Sequence, residues 1–273
     1  MFLHTWHPQP LIAALGGFSF RWYGLLLALA ALVGFGLIQR IGRRYRLDVN
    51  RLFDLALITL VAGSIGARIY HVLNEWTYYW ARPTEMWKVW NGGLALHGGL
   101  IVGAAALFIM ARRWKWNAWL IADVMAPAVA LGQAIGRWGN YANQELFGRP
   151  TLLPWGIPID PLNRPPAYVT QTYFHPTFLY ESLGLLVIAV LLWLMHRRRW
   201  RVSASSQPQP YGAIALAYFV LYSVLRISTE SLRLDRTPII GGVRLPILVS
   251  GLIIVVALVI LFIRYRRTPA SCV

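Results

Sequence analysis

The sequence contains very little cysteine and little charge. Cys272 is the only cysteine among the 273 residues, so we expect no disulfide, thiolate metal site or cysteine nucleophile in this chain. Charged residues make up 13% of the sequence, against about a quarter in an ordinary soluble domain. Hydrophobic residues make up 57%, and the mean hydropathy is +0.51. This composition indicates an integral membrane protein.

Seven apolar segments each have close to the roughly 20 residues that a helix needs to cross the hydrocarbon core of a bilayer. None of them alternates apolar and polar residues as a membrane β-strand does, so helices are the predicted spanning structure. We predict an all-α integral membrane protein, a single membrane domain over residues 1–273. Its transmembrane helices are predicted near 18–39, 52–74, 93–111, 118–138, 176–196, 211–229 and 245–263.

Acidic residues are scarce, and the basic residues are clustered. There are 10 Asp and Glu against 26 Lys and Arg, which gives a formal net charge of +16. In a soluble protein this would suggest nucleic acid, but here the cations follow alternate apolar segments, so we expect no nucleic-acid partner. The positive-inside rule puts such clusters in the cytoplasm, with the N-terminus outside and the C-terminus cytoplasmic. The clusters are Arg40, Arg43, Arg44, Arg46 and Arg51; Arg112, Arg113 and Lys115; Arg197, Arg198, Arg199 and Arg201; and Arg264, Arg266 and Arg267.

Two long connections lie on the outer side in this topology. Residues 75–92 carry aromatic residues between charges and are predicted to form a short amphipathic helix in the membrane interface. Residues 139–175 are rich in Pro and Gly with sparse charge, and they predict an ordered but irregular external cap or arm. The function is therefore expected to face outward.

A polar stretch from Gly136 to Arg149, with the sequence GRWGNYANQELFGR, stands at the outer end of the fourth apolar segment. An Arg near hydrocarbon costs about 2.5–3.5 kcal/mol on insertion scales, so such a residue is a functional-site hypothesis. The alternative is an Arg that only extends to the interface. Gln133, Arg137 and Asn140 are spaced i, i+4 and i+7, which puts them on one helical face.

Polar residues also mark the outer ends of other segments. The third begins with His97-Gly98-Gly99-Leu100, where the histidine either serves chemistry or only hydrogen-bonds a packed helix. The fifth begins with His175-Pro176 and continues with Leu179-Tyr180-Glu181. The sixth ends with Arg226, Glu230 and Arg233 on one face, either a functional group or a ladder that neutralises itself.

Two charges lie deeper in the predicted helices. Asp123 is the best candidate for a structural ion pair or a hydrogen-bond hub, because an unpaired carboxylate in the bilayer is costly. Arg68 is expected to pair with Asp54 or Asp123.

At least five of the seven segments thus send polar groups to one outer level, which favours a shared pocket that opens to the outer leaflet. Guanidinium groups at headgroup depth suit a phosphate ester attached to acyl chains, since they match phosphate with paired hydrogen bonds. The residues by themselves leave three classes open: a phospholipid-processing enzyme, a lipid flippase and an anion channel.

Taken together and in order, the motifs at His97, at Gly136 to Arg149, at His175 and at Arg226 to Arg233 closely resemble those of the bacterial prolipoprotein diacylglyceryl transferases. The resemblance runs from the first predicted helix to the last. It implies transfer of the diacylglyceryl group of phosphatidylglycerol to the thiol of the lipobox cysteine in a preprolipoprotein signal peptide, which forms a thioether and releases glycerol phosphate. It implies no metal or organic cofactor. It also implies a multi-pass protein of the bacterial cytoplasmic (inner) membrane, surrounded by membrane lipids, with a site on the periplasmic side.

The resemblance also implies roles for the arginines. Arg137 and Arg226 match the arginines proposed to bind the headgroup phosphate and to stabilise the leaving group, which needs charge rather than a proton. Glu230 and Arg233 are expected to hold Arg226 in position while contributing to the substrate site.

The thiol, with a pKa near about 8.5, needs a base or a positive field to become a thiolate. His97 matches the family's essential histidine and is our candidate general base, with Glu145 and Glu230 as alternatives.

Three residues are expected to orient the headgroup: Asn140 and Tyr23, which we also count as catalytic, and Gln144. Gly148 would permit close approach of a backbone. A phospholipid or anion transporter is the alternative function, but it would need a polar path to the inner face, and the inner halves of the first, third, fifth and seventh segments are almost purely apolar.

Overall fold

The computed structural model describes residues 2–15, 18–89, 92–201, 210–235 and 237–267. Cys272 lies outside the described residues. By their contacts the residues fall into two compact units, 38–121 and the remainder (1–37 with 122–273), and each unit is described by itself below. In chain order the helices of the described part are α1 (Phe2–Thr5), α2 (Trp22–Arg44), α3 (Val49–Asn74), α4 (Trp76–Trp80), α5 (Leu96–Arg113), α6 (Ala118–Ala142), α7 (Thr177–Arg201), α8 (Ala213–Glu230) and α9 (Leu245–Arg267).

Six of these helices are long and apolar enough to cross a membrane, within the described residues: α2, α3, α6, α7, α8 and α9. The expectation of a mainly helical membrane protein is therefore confirmed. The predicted third span corresponds to α5, a helix of 18 residues. Several helices run past the predicted ends, since α2 reaches Arg44 and α7 reaches Arg201. The apolar pattern marks the hydrocarbon layer, whereas a helix continues through arginines because they are good helix formers.

Short antiparallel hairpins add to the predicted all-α fold. They pair β1 (Leu11–Leu15) with β2 (Phe18–Arg21), β3 (Ile157–Pro158) with β4 (Tyr173–Phe174), and β5 (Ile239–Ile240) with β6 (Val243–Arg244). The first apolar segment thus begins as a strand, and its helix starts only at Trp22. Segment 75–92 is not one amphipathic helix: α4 is followed by a 3-10 turn at Pro83–Trp87, because Pro83 cannot donate to a continuing helix.

In the unit 38–121, α3 packs closely against α5 through glycines. A Cβ atom placed on Gly66 would lie 2.6 Å from the Gly98 carbonyl oxygen, so only glycine allows the two backbones to come so near. Asp48 caps α3, since its Oδ1 accepts hydrogen bonds from the backbone N–H groups of Asn50 (2.9 Å) and Arg51 (3.4 Å). The start of α5 therefore packs against the C-terminal half of α3.

The prediction that Arg68 pairs with the carboxylate of Asp54 or Asp123 is wrong. Its guanidinium, which is buried, donates instead to backbone carbonyls of the connection that leads to α5, such as Glu85 (2.6 Å), Met86 (2.8 Å) and Gly92 (2.6 Å). This connection has several carbonyl oxygens that need hydrogen-bond donors, and one guanidinium group has five N–H donors. Sequence spacing could not reveal this because the partners are backbone atoms.

The larger unit is built on α6, α7 and α8. Their facing apolar residues form one core: Ala126, Ala130, Ile188, Ala189, Leu192, Ile214, Ala215 and Tyr218. A second core supports the long connection 143–176 between α6 and α7, where the ring of Tyr141 stacks on that of Phe178 at 4.4 Å and the ring of Phe147 contacts that of Phe174 at 4.9 Å. These two cores fix α6 and α7 at the level where their polar residues begin.

Asp123 is the buried hub that its position in the sequence predicted. Its carboxylate accepts hydrogen bonds from the backbone N–H groups of Gly212 and Ala215, both at 2.8 Å, and pairs with Arg199 Nη1 at 2.8 Å. It therefore caps the beginning of α8 from a neighbouring helix, where a carboxylate also complements the helix dipole.

Candidate active site

The C-terminal end of α6 leads into a row of polar side chains. Arg137 Nη1 donates to Asn140 Oδ1 at 3.4 Å, and Asn140 Nδ2 donates to Glu145 Oε1 at 2.8 Å. Asn143 Nδ2 also donates to Glu145, at 3.3 Å. The row forms because α6 continues to Ala142 and Glu145 then folds back, its N–H bonded to the Asn140 carbonyl at 2.9 Å. The two amides thus fix the Glu145 carboxylate near the exposed end of the row.

The chain after α6 turns sharply at two residues with left-handed backbone conformations, Gln144 (φ 52°) and Leu146 (φ 57°). For a residue with a side chain this conformation costs about 1–2 kcal/mol. The turn is offset by hydrogen bonds of the Gln144 amide, which donates to Asp160 Oδ2 (2.7 Å) and the Pro8 carbonyl (3.0 Å) and accepts from the Asp160 N–H (2.7 Å). The turn therefore fixes the orientation of the polar row that ends at Glu145.

Gly148 lies where three chain segments meet. A Cβ atom there would lie 2.8 Å from His175 Cβ, 2.9 Å from Thr177 Cγ2 and 3.0 Å from the Leu232 carbonyl oxygen. Its N–H donates to the His175 carbonyl at 2.9 Å, and Thr177 Oγ1 donates to the Leu146 carbonyl. The close backbone approach expected at Gly148 occurs within the protein itself, between the 144–149 turn and the start of α7.

Glu181 is a buried carboxylate surrounded by arginines. Its side chain is 4% exposed, with Arg137 Nε 2.5 Å from Oε2. Arg233 Nη1 lies 3.1 Å and Arg226 Nη1 3.5 Å from Oε1, and the Thr229 hydroxyl donates to the same oxygen at 3.2 Å. One carboxylate from α7 thus connects α6 with the C-terminal end of α8.

Glu230 and Asp235 extend this arrangement. Glu230 is fully buried and pairs with Arg226 Nη2 at 2.7 Å and with Arg244 Nε at 2.9 Å. Asp235 accepts from Arg233 Nε at 2.6 Å. We call the connected group the arginine–carboxylate cluster; its members are Arg137, Arg226, Arg233 and Arg244 with Glu181, Glu230 and Asp235.

The acidic residue at the edge of the cluster stays ionised. Burial by itself would raise the pKa of Asp235, but the hydrogen bond from Arg233 and the positive charges of Arg233, Arg226 and Arg244 outweigh it, and the pKa is lowered. Burial would likewise lower the pKa of Arg233, but its bond to Asp235 and the charge of Glu181 raise it. The interaction between Arg233 and Asp235 is therefore an ion pair of two charged groups rather than a neutral hydrogen bond.

The arginines differ in access. The side chains of Arg137, Arg226 and Arg244 are 19%, 16% and 25% exposed, whereas that of Arg233 is 4% exposed. Two guanidinium groups from different helices are thus held on one buried carboxylate and still reach the surface of the site. Such a fixed pair can bind a phosphate without reorganising, which is what electrostatic stabilisation of a leaving group requires.

Several residues predicted from the sequence meet at this site. Arg226 contacts Glu230 as expected, whereas Arg233 pairs with Glu181 and Asp235 rather than with Glu230. The ring of Tyr23 packs over α6, since a Cβ atom on Gly139 would lie 2.5 Å from its Cδ2. The structure brings these residues together with Arg137, Asn140, Glu145 and Gly148.

Two of the predicted residues, Gln144 and His97, contact other residues of their own units. The Gln144 amide is occupied by internal partners, so its geometry is that of a structural residue rather than a headgroup ligand. His97 is the second residue of α5 in the unit 38–121, where its ring lies 6.0 Å from that of Tyr70. Its side chain is exposed.

Four members of the site had no role assigned from the sequence: Glu181, which was named only as part of the motif after His175, and Thr229, Asp235 and Arg244. One signal was present for Glu181, because a carboxylate in an apolar segment needs a cationic partner. No comparable signal marked Arg244, which reads as an anchor at the beginning of α9. Its role depends on where the β5–β6 hairpin folds.

His175 lies just before the beginning of α7. Its Nδ1 lies 3.1 Å from the Tyr180 hydroxyl, and that hydroxyl accepts a hydrogen bond from Trp155 Nε1 at 2.9 Å. Burial lowers the pKa of His175 and so favours its neutral form. The chain from Trp155 to His175 connects the arm to the helix that carries Glu181.

Comparison with known proteins gives a consistent result. A family model for prolipoprotein diacylglyceryl transferases matches residues 10–263. A phosphatidylglycerol–prolipoprotein diacylglyceryl transferase of Synechococcus elongatus is 45% identical over 247 residues, which cover 89% of this chain and 83% of that protein. The protein of the same name from Nostoc sp. is 40% identical over 273 residues, covering 98% and 94%. The similarity therefore spans nearly the whole chain.

Proposed function

This chain belongs to the prolipoprotein diacylglyceryl transferase family, and we propose that its arginine–carboxylate cluster binds the phosphate of phosphatidylglycerol. The protein is a membrane transferase of lipoprotein biosynthesis that moves the diacylglyceryl group of phosphatidylglycerol to a prolipoprotein. The observation that carries the site proposal is the pair of partly exposed guanidinium groups, Arg137 and Arg226, fixed on the buried Glu181.

The acceptor is the thiol of a lipobox cysteine in the signal peptide of the preprolipoprotein. Its thiolate sulfur attacks the glyceryl carbon that carries the phosphate. A carbon–sulfur bond forms, the carbon–oxygen bond breaks, and glycerol phosphate leaves with the electron pair. Negative charge grows on the phosphate in the transition state, where Arg137 and Arg226 stabilise it. Asn140 and Tyr23 line the same end of α6 and orient the headgroup.

The thiol proton passes to a base. Glu230 is the weakest of the three candidates, because it is buried and both of its oxygens face arginines at 2.7 and 2.9 Å. His97 and Glu145 are both exposed, so each can be reached by a thiol. We assign the role to His97, since histidine is the side chain that most often transfers protons in general acid–base catalysis.

This assignment predicts a pH-dependent defect. Replacement of His97 by Gln should impair transfer most near neutral pH and less as the pH rises, because the substrate thiol, with a pKa near about 8.5, then ionises by itself. The measurement is kcat/KM for a lipobox peptide between about pH 6 and pH 9. If the loss of kcat/KM in His97→Gln has the same size over that pH range, His97 only positions a group and Glu145 is the base. The pH profile of Glu145→Gln, measured in the same way, is the matched comparison.

We further propose that α5 is a seventh span and that the site opens on the periplasmic side of the bacterial inner membrane. The four basic clusters on alternate connections support this orientation. Lipid and signal peptide would both reach the site from that side, since the lipobox becomes available only after the signal peptide begins to cross.

Thiol labelling tests the orientation without any activity assay. Two variants, each without Cys272, carry one cysteine each. In the first the cysteine replaces Leu162, whose side chain is 99% exposed, and in the second it replaces Arg113, which is also exposed. Arg112 and Lys115 keep the local cluster positive. On intact spheroplasts a membrane-impermeant maleimide should label the first cysteine and not the second, and permeabilisation should expose both. Labelling of the second cysteine alone would put the site on the cytoplasmic side.

The function itself is tested with purified protein, phosphatidylglycerol labelled in its acyl chains and a peptide with a lipobox cysteine. The expected product is a peptide carrying the label in a thioether, with glycerol phosphate released in equal amount. A peptide in which serine replaces that cysteine is the control. A phospholipid or anion transporter, the alternative, would move label across liposomes without forming this product.

A further inference from the structure

Arg244 is held at the base of a hairpin that no sequence motif connects with the site. It is the last residue of β6 and immediately precedes α9. Gly241 and Gly242, with φ of 58° and 80°, make the tight turn between β5 and β6, and the Leu245 N–H closes the hairpin on the Pro238 carbonyl at 2.8 Å. The backbone of Arg244 is therefore fixed before its side chain is considered.

Every nitrogen of the Arg244 guanidinium has a partner. Nε donates to Glu230 Oε1, Nη1 to the Arg233 carbonyl and Nη2 to the Asp235 carbonyl, each at 2.9 Å. The two carbonyl bonds orient the guanidinium, and the carboxylate bond connects it to the cluster. Since Glu230 also pairs with Arg226 at 2.7 Å, one buried carboxylate is shared by two arginines.

Because Arg226 and Arg244 share Glu230, this carboxylate neutralises less of the positive charge on Arg226, and more of that charge is available to a ligand. The cluster holds four arginines and three carboxylates, an excess of one positive charge. Without Arg244 the count is three against three, and Glu230 interacts with Arg226 alone. In a largely buried cluster a unit charge acts strongly on its neighbours, because the effective dielectric constant is well below that of water.

We propose that Arg244 is a positioning residue that supplies the excess charge for phosphate binding: by sharing Glu230, it leaves Arg226 free to attract the anionic headgroup of phosphatidylglycerol. Arg244 acts through Glu230 and needs no contact with substrate. This inference rests on the proposed function, because it assumes that Arg226 faces the phosphate. It concerns the lipid substrate only, so binding of the acceptor peptide should not depend on Arg244.

The test replaces the charge and then restores the balance. In Arg244→Gln we expect KM for phosphatidylglycerol, measured as its mole fraction in neutral detergent micelles, and the inhibition constant of glycerol phosphate each to rise about tenfold. KM for the lipobox peptide should stay within about twofold of wild type. The double variant E230Q/R244Q removes one charge of each sign and again has an excess of one positive charge. It should bring the lipid KM back to within about threefold of wild type.

A purely structural role for Arg244 predicts the opposite pattern. Loosening of the hairpin would change the KM values of lipid and peptide together, and the double variant would be at least as impaired as R244Q; either result overturns the proposal. Should R244Q fail to yield folded protein, Arg244→Lys decides. It keeps the charge, so its lipid KM should stay near wild type, and a rise of about tenfold would overturn the proposal. Arg266→Gln, at the far end of α9, is the matched control.

Arg226→Gln separates this inference from the proposed function. If that variant keeps a normal KM for phosphatidylglycerol, the phosphate site itself is misassigned. If it is impaired while R244Q is not, the phosphate site stands and only the role of Arg244 is wrong.

Discussion

Arg137→Ala is expected to lower the rate of diacylglyceryl transfer by about 100-fold or more, the size of loss seen when one donor to a developing anion is removed. The protein should still fold, because Glu181 keeps Arg233 at 3.1 Å and Arg226 at 3.5 Å and is not left as an unpaired buried charge. The measurement is single-turnover transfer to a lipobox peptide, with the thermal unfolding midpoint in detergent as the test of folding.

Arg137→Lys should recover only part of this rate. A lysine can restore the ion pair with Glu181, but its single ammonium group cannot contact the carboxylate through Nε and a phosphate through the other nitrogens. Arg201→Ala, at the other end of α7 and exposed, serves as the control for loss of an arginine. Near-normal transfer by a folded Arg137→Ala protein would contradict the assignment of the site.

The largest effect on stability is expected at Asp123. Asp123→Asn should lower the free energy of unfolding by about 3–5 kcal/mol, the usual cost of removing one partner of a buried ion pair. The carboxylate is fully buried and serves the Arg199 guanidinium and two backbone N–H groups at the start of α8, and a carboxamide offers only one acceptor oxygen to them. The thermal unfolding midpoint and the rate of proteolysis in detergent micelles measure the loss.

Asp54→Asn is the matched control for this change. Asp54 is also an aspartate in a helix predicted to cross the membrane, but it is exposed, so its replacement should move the midpoint little. Equal midpoints for Asp123→Asn and wild type would show that the cap on α8 is dispensable. The effect on transfer should follow the loss of folded protein, because Asp123 makes no contact with the arginine–carboxylate cluster.

Several residues of the candidate site were named from the sequence, but the pairing among them could not be predicted from it. Arg226 and Glu230 are one helical turn apart, so their contact follows from helix geometry. The pairing of Arg137 with Glu181 joins residues 44 positions apart, from α6 and α7. Such a pair exists only after two helices pack, and no spacing rule reports which face of one helix meets which face of the other.

The same limit explains the wrong expectations. Arg68 was expected to find a carboxylate because sequence reasoning counts side chains, yet its partners are backbone carbonyls of a folded connection. Gln144 looked like a free polar ligand in a functional motif, but the folded arm uses its amide. In both cases a buried backbone group needed a hydrogen-bond partner, and the predicted residue supplied it.

The sequence alone therefore determined that this is a mainly helical membrane protein and which family it belongs to, because the need to satisfy backbone hydrogen bonds in hydrocarbon restricts a chain with these apolar runs to helices. It also placed arginines at the ends of apolar segments. Tertiary structure decided how their charge is divided, since Glu181 and Glu230 each neutralise arginines from more than one element. How much charge remains for a ligand depends on distances of a few ångströms between elements, and only packing sets those distances.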